Sequence, residues 1–320
     1  MMRILKFGGK SLETIEKTQK ICKYIKKIYK KDQKIIVVVS AMGNTTDKLI
    51  SCVKNFSIDN PAPRDYDALL SSGENISCSL ISIVLNSMGI KAKSFQGWQI
   101  KIKTKGGFQN SLVYHIDKRK IEKCLETGTI AVIAGFQGVN RQNEITTLGR
   151  GGSDTTACAL GATFNTDVEL YSDFNGIYTG NPRLKPFKKL NQISIFQMQD
   201  MASSGAKVIC DRAVSIAANH KINILAKSST SPQNKGTIIN AIETNKIAIT
   251  EKDNLCQISV IFANESIARN MVKNVFICIK KYKFYNFNTK NNIIEFFVNT
   301  EDKSKIIQTI SEKFHLLKNV

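Results

Sequence analysis

Six short segments of this 320-residue chain hold residues able to manage charge: KFGGKS (6–11), SAMGNTTD (40–47), SGE (72–74), GRGGSD (149–154), SD with YTGNPR (172–183) and GAK (205–207). In GRGGSDTT (149–156) a glycine-rich turn opens an alanine-rich helix, so unpaired backbone N–H groups and the positive helix end converge where anions collect. Arg150 and Asp154 add one charge of each sign. That combination suits a substrate with both a carboxylate and an amine, or a phosphate held with a cation. Lys6, Arg183 and Lys207 supply positive charge for a polyphosphate, glycines 8, 9, 151 and 152 let backbone approach it, and Asp154 and Asp173 can hold a lysine or a magnesium ion. Phosphoryl transfer needs mainly positioning and charge neutralisation, so no serine, cysteine or histidine nucleophile is required. A carboxylate acceptor, with an ordinary pKa of about 4, is already ionised and needs no general base. KFGGKS is not a Walker loop: Gly9, Lys10 and Ser11 fit its close, but Ile4 stands where the motif requires glycine. Singly, each residue also has a plain structural reading. Lys6 can be a strand-end lysine, Glu74 and Asp154 helix-start charges favoured by the dipole, Thr45 and Thr46 caps, and Tyr178 and Arg183 turn residues.

The segments sit at the ends of alternating strands and helices. RILKFGG (3–9) reads as a buried strand ending in a glycine turn, and the following helix carries Ile15, Thr18, Ile21, Cys22, Ile25 and Ile28 at helical spacing with Ser11 as N-cap. KIIVVVS (34–40), a continuous β-branched run, predicts a strand buried on both faces. Strand, helix, strand is the crossover unit of a parallel sheet. Residues 67–89 predict a helix with Leu69, Leu70, Ile76, Leu80, Ile81, Val84 and Leu85 inside and a break at Gly73. IKAKSFQGWQI, TIAVIAGF and DVELYSD predict further strands, with a helix after Ser153. Two helices follow NGIYTGNPRL, and INILAKSS (222–229) closes the sheet. Ligands bind such sheets at strand-end loops. Residues 231–240, within a Ser-, Asn-, Gly- and Pro-rich stretch, read as a linker between a first domain (1–230) and a second (241–320). The second domain predicts strand (255–262), helix (265–273), strand (275–283), strand (292–298) and helix (302–316), a small ferredoxin-like α+β module.

Composition narrows the alternatives. The net charge of +20 invites a nucleic-acid reading. Residues 232–320 hold 13 basic and 8 acidic residues, however, so the charge spreads nearly in proportion to length, mostly on helices such as KICKYIKKIYKK. Solvated helix faces explain it, and no nucleic-acid partner is expected. Eight scattered cysteines form no CxxC pair and predict reduced thiols; the three histidines lack ligand or catalytic patterns. No uninterrupted apolar run approaches the roughly 20 residues of a membrane span, and MMRILKFGG does not read as a secretory leader. A cytoplasmic protein without a membrane partner is expected.

KFGGKS, VVVSAMGNTTDKL, LLSSGE, GFQGV, ITTLGRGGSDTTA, ELYSDFNGIYTGNPR and ASSGAKVICDRA, in this order, closely resemble the aspartate kinases over residues 3–230. The likeness to glutamate 5-kinase or uridylate kinase, of the same amino-acid-kinase fold, is weaker. The resemblance implies an α/β, three-layer αβα sandwich that transfers the γ-phosphoryl group of ATP, with Mg2+, to the side-chain carboxylate of L-aspartate. It places Lys6 on the transferring phosphate, with Phe7, Gly8 and Gly9 beside it and Asp154 orienting the lysine. Ser40 and Thr46 fall near the aspartate, Glu74 on its ammonium and Arg150 on its α-carboxylate. Ser172, Asp173, Tyr178 and Arg183 match the nucleotide segment, and Lys207 a second phosphate-facing lysine. No metal ligand is assigned to the protein itself. Lys10 replaces the family's usual threonine. The family commonly ends in two ACT modules that bind lysine or threonine and mediate dimer contacts. This chain has room after residue 240 for about one, with FANESIARN where an effector loop is usual, which implies a homodimer or higher oligomer with reduced or absent feedback control.

Overall fold

Runs of β-branched residues build the centre of the structure, a computed structural model that describes residues 2–30, 33–206, 208–252 and 256–318. In chain order the elements are β1 (Met2–Phe7), α1 (Ile15–Ile28), β2 (Lys34–Val39), α2 (Thr45–Asn55), α3 (Pro63–Ser87), β3 (Ala92–Phe95), β4 (Ile102–Lys105), β5 (Leu112–Ile116), α4 (Arg119–Glu126), β6 (Ile130–Ala134), β7 (Gln137–Val139) and β8 (Ile145–Thr147). They continue with α5 (Gly152–Phe164), β9 (Val168–Ser172), β10 (Gln192–Ser194), α6 (Ile195–Ser203), α7 (Asp211–His220), β11 (Ile224–Ser228), β12 (Thr237–Asn240), β13 (Ala248–Lys252), β14 (Gln257–Ile261), α8 (Glu265–Ile279), β15 (Phe284–Lys290), β16 (Ile293–Val298) and α9 (Thr300–Lys313). Contacts divide the chain into one unit of residues 1–175 and 215–236 and another of residues 176–214 and 237–320.

In the first unit the strands β11-β9-β1-β2-β6-β3 form a parallel sheet. Successive side chains alternate between its faces. Leu5, Phe7, Val37, Val39, Val132 and Ala134 pack against Ile21, Cys22 and Ile25 of α1 and Cys78, Ile81 and Leu85 of α3. Ile4, Ile36, Val38 and Ile133 are buried on the other face, where α5 lies against β1 and β2. Each such side chain removed from water contributes roughly 1.5–3 kcal/mol, so helices on both faces are what a continuous apolar strand requires. A smaller mixed sheet, β5-β4-β7-β8, completes the unit.

Several details depart from expectation. The cap of α1 is Thr14, whose hydroxyl accepts the Lys17 N–H, because a short 3-10 turn at Gly9–Leu12 intervenes; Ser11 instead donates to Ser229 Oγ at 2.8 Å. Helix α3 begins with Pro63 and runs unbroken through Gly73, where a Cβ would lie 2.8 Å from that of Ala41, so this glycine serves close packing. Ile76 and Leu80 are exposed, since the buried stripe of α3 passes through Leu70, Ser77, Ile81 and Leu85. By length and composition α3 is also apolar enough to cross a membrane, which a search for uninterrupted runs overlooks; half of that stretch is buried in the unit. Only Ala92–Phe95 of IKAKSFQGWQI is strand, and the short elements β4, β5, α4, β7 and β8 were not anticipated.

In the second unit β10 and β12 form a parallel pair, and residues 237–240 of the expected linker belong to it. An antiparallel sheet of order β13-β14-β16-β15 packs with α8 and α9 around Ile258, Val260, Phe262, Val275, Ile279, Phe296, Ile306 and Ile310. The order β14-α8-β15-β16-α9 is the expected one, with β13 added on the edge. The strand expected at 275–283 is instead the end of α8, because Ala268, Val275, Cys278 and Ile279 are buried at helical spacing, and β15 starts at Phe284.

Candidate active site

The carboxyl ends of β1, β2 and β9 and the start of α5 gather most of the charge-bearing residues in the first unit. Lys6, next to last in β1, places Nζ 2.6 Å from Asp154 Oδ1 in the first turn of α5, with both side chains nearly buried. That turn is capped by Gly151 in the left-handed conformation (φ 74°), with no side chain closing it. A β-branched or bulky residue would be strained there. The positive end of α5 thus meets a lysine already held by a carboxylate, a fixed arrangement for receiving phosphate.

Gly8 lies directly beneath the lysine, for a Cβ there would stand 3.4 Å from Lys6 Nζ. Gly9 is packed closer still: its Cβ would lie 2.7 Å from the Ala41 carbonyl oxygen, and its own carbonyl accepts the Gly43 N–H at 3.0 Å. The KFGG and SAMG loops are therefore clasped together. The Ser40 N–H adds a bond to the Phe7 carbonyl at 3.2 Å, and Thr46 follows in the first turn of α2. The Phe7 ring is fully buried and stacks on Tyr171 at 4.8 Å, so only its backbone faces these loops.

Glu74 is the most informative group. It lies eleven residues into α3 rather than at a helix start, so the dipole does not account for it. Its Oε1 accepts the Ala41 N–H at 2.9 Å, while Oε2 is buried without a hydrogen-bond partner. Burial pushes its carboxyl up to about 7, opposed by the Ala41 and backbone hydrogen bonds and by the charge of Lys6. A buried oxygen left open in this way calls for a cation or donor from outside. Arg150, at the turn before α5, is exposed and makes no ion pair among the described residues.

Ser172, at the end of β9, accepts the Phe174 N–H at 3.1 Å, and Asp173 lies 3.8 Å from Lys10 with both side chains well exposed. Lys10 therefore points at Asp173. Tyr178 and Arg183 belong to the second unit, where Tyr178 bridges to Lys189 and packs on that unit's core, and the Arg183 N–H donates to Asn181 Oδ1 at 3.1 Å. Lys207 lies outside the described residues.

The sequence reading missed Asp67, one heptad before Glu74 on the same buried face of α3. Its carboxylate accepts the N–H groups of Gln109 (2.8 Å) and Thr147 (2.6 Å) and the Thr147 hydroxyl (2.9 Å), which fixes the strand leading into Gly149 and Arg150. An acidic residue in the buried register of an amphipathic helix was the available signal.

A parallel sheet with glycine-rich strand-end loops and a lysine–aspartate pair at a helix start defines a class, and the sequence profile of the amino acid kinase family matches residues 1–227. Similar proteins include an aspartokinase of Rickettsia felis, 41% identical over 80% of this chain and 66% of its own length. An aspartokinase of Geobacillus stearothermophilus is 36% identical over 96% of this chain and 78% of its length. The chain belongs to the amino acid kinase family, on its aspartokinase branch. It spans just under two thirds of the Rickettsia felis relative. The fold is that of Escherichia coli aspartokinase III, solved in complex with aspartate and ADP, with a TM-score of 0.84 at 18% identity over 98% of this chain and 100% of that one.

Proposed function

We propose that the chain is an aspartate kinase, transferring the γ-phosphoryl group of ATP to the side-chain carboxylate of L-aspartate to give 4-phospho-L-aspartate and ADP. The observation that carries this reading is the buried Glu74, whose open Oε2 suits the substrate ammonium, at the edge of the loops that hold the Lys6–Asp154 pair. Support comes also from the aspartokinase relatives and from the aspartate and ADP bound by the Escherichia coli enzyme.

In this reading Arg150 clamps the α-carboxylate and Glu74 the ammonium, with Ser40 and Thr46 lining the same end, so the side-chain carboxylate points at the γ-phosphorus. A carboxylate oxygen bonds to phosphorus, the bond to the bridging oxygen of ADP breaks, and ADP leaves with that electron pair. No proton moves. Lys6, held by Asp154, neutralises the transferring oxygens, and the N–H groups near Gly8 and Gly9 add dipoles that need no reorganisation. Ser172, Asp173, Tyr178, Arg183 and Lys207 are assigned to the nucleotide. Magnesium fits as an ion carried chiefly by the ATP phosphates: no cluster of three or more His, Cys, Asp or Glu side chains forms among the described residues, and the exposed Asp173 carboxylate is the group suited to meet it. When bound it would offset phosphate charge.

Residues 241–320 are proposed as a single ACT-like module for dimer contacts with weakened feedback; strong inhibition by lysine or threonine would refute the weakened control. Eight free cysteines suit a reducing cytoplasm. A coupled ADP-release assay decides the activity: L-aspartate supports turnover, glutamate and uridylate do not, and Lys6→Ala abolishes it. Turnover that survives Lys6→Ala refutes the mechanism.

A further inference from the structure

Away from the strand-end loops, the first unit carries a second charged hollow. A cleft of about 590 Å3 opens between β4, β5 with the turn that follows it, the second half of α5, and Ile216 and His220 of α7. Its back wall is Ala159, Ala162 and Thr163, small side chains on one face of α5 that leave the space unfilled. Its rim carries Lys101, Lys103, His115, Lys118, Arg119 and His220 against one carboxylate, Asp117.

Two of these basic side chains are already matched. Arg119 grips Asp117 through Nε (2.9 Å) and Nη2 (2.6 Å), and Lys118 reaches Glu122 at 3.0 Å. Lys103 forms no salt bridge among the described residues, and Lys101 meets a carboxylate only at longer range, where its charge helps Arg119 hold the Asp117 carboxyl down. Lys101, in the turn before β4, and Lys103, on the strand, both line the cleft, and Lys103 stands directly across the ladder from His115. Two lysine charges lining one hollow repel, and an anion between them would offset that cost. A smaller hollow of about 240 Å3 shares Lys101, Lys103 and Tyr114 with the cleft and adds Arg141, Asn140 and Asn143. Lys101 and Lys103 thus line both of two contiguous hollows, a layout for two linked anionic groups rather than one.

We propose that this cleft is a second ligand site, for a small anion with two linked phosphate groups. It is separate from the kinase loops: its wall begins five residues beyond Asp154 along α5, about 8 Å at the helical rise. Lysine suits phosphate as a mobile point charge, and the paired hollows set the spacing.

The test is calorimetric titration of the full chain with inorganic pyrophosphate and, separately, inorganic phosphate. Wild type is compared with the double variant Lys101→Ala/Lys103→Ala and with Lys20→Ala/Lys23→Ala, which removes equal charge from the exposed face of α1. Any pyrophosphate taken by the kinase loops is common to all three proteins. The expected result is a binding event in wild type and in the α1 variant that weakens about tenfold or more in Lys101→Ala/Lys103→Ala, with phosphate weaker than pyrophosphate throughout. All four lysines are exposed, so circular dichroism should show each variant folded. Absence of binding to wild type, unchanged binding in Lys101→Ala/Lys103→Ala, an equal loss in the α1 variant, or phosphate binding as tightly as pyrophosphate would each overturn the proposal.

Discussion

Two clusters of charge flank the central strands of the first unit, and they differ in how completely they are satisfied. On the face covered by α1, Arg3 donates to Glu169 Oε1 at 2.7 Å, while Oε2 takes Tyr171 Oη (2.8 Å) and Lys227 Nζ (3.3 Å). Tyr171 is bonded in turn to Tyr24 at 2.9 Å. Every polar atom of that carboxylate is occupied by the protein. At the carboxyl end of the sheet Lys6 has Asp154, but Glu74 is left with one buried oxygen open and Arg150 reaches into solvent. A buried network closed on itself holds a fold in one arrangement; one held open spends stability on a partner that arrives later. The titration behaviour follows the same division. Burial raises the carboxyl of Glu169, but the Arg3 bonds and charge outweigh it and hold it below the ordinary range, whereas burial wins at Glu74.

The largest effect expected from this contrast is on chemistry at the open end. Lys6→Ala should lower kcat per folded molecule by about 10³-fold, roughly 4 kcal/mol, and should also lower the melting temperature, because Asp154 is left without its partner in a nearly buried setting. Asp154→Asn should lower kcat in the same direction but less, because the lysine remains and only its placement loosens. Steady-state assays corrected for the folded fraction, beside thermal melts, check both, and kcat per folded molecule that survives in Lys6→Ala would erase the contrast.

Glu169→Gln should cost stability without touching the chemistry. Leaving Arg3 and Lys227 half-paired in a nearly buried setting costs about 3 kcal/mol, which for a unit of this size lowers the melting temperature by roughly 6–12 °C. Activity per folded molecule should persist. Because the folded carboxyl is depressed, its stabilising contribution is present above the ordinary glutamate range and is lost as pH falls below about 4.5. The variant and wild type should therefore converge in acid.

Glu74→Gln probes the open group with nearly the same shape. Losing the charge that meets an ammonium should raise the KM for aspartate about 30-fold, on the order of 2 kcal/mol, with a smaller change in kcat. The pH dependence has the opposite sign to that of Glu169. A carboxyl raised to about 7 stabilises the ligand-free fold fully below about 4.5, and that contribution is lost as pH rises through 7. Ligand-free Glu74→Gln should accordingly melt higher than wild type at pH 8 and match it near pH 5. In wild type, KM for aspartate should fall between pH 6 and 8, and the variant should flatten that slope.

The contrast also marks what the sequence could reveal. Lys6, Gly8, Gly9, Arg150 and Asp154 were readable because glycine turns and isolated charges at strand ends are local signals, and β1, β2 and β6 because β-branched runs are. Glu74 was visible as a charge, but its meaning depended on α3 running unbroken past Gly73, a matter of contact with Ala41. Arg3, Glu169 and Lys227 carried no signal, since strand pairing joins positions 166 and 58 residues apart. The apolar run VFICI fitted a strand as well as a helix until the core of the second unit decided it. The lysines of β4 alternated at strand period, but four residues were too few to separate strand from solvated loop.

The smallest effect should come from the rim of the closed cluster. Tyr24→Phe removes one hydroxyl bonded to Tyr171 and leaves the ring, which meets Tyr171 edge-on at 5.8 Å. Tyr171 still donates to Glu169, so no charge is stranded and no cavity opens. The cost should be about 1 kcal/mol, a drop of roughly 2–4 °C in melting temperature, with kcat and KM unchanged. In a Glu169→Gln background the same change should cost less, because Tyr171 then donates to a neutral amide and the tyrosine pair no longer extends a charged chain. A double-mutant cycle with no coupling between positions 24 and 169 would mean that the cluster is a set of separate bonds rather than one network.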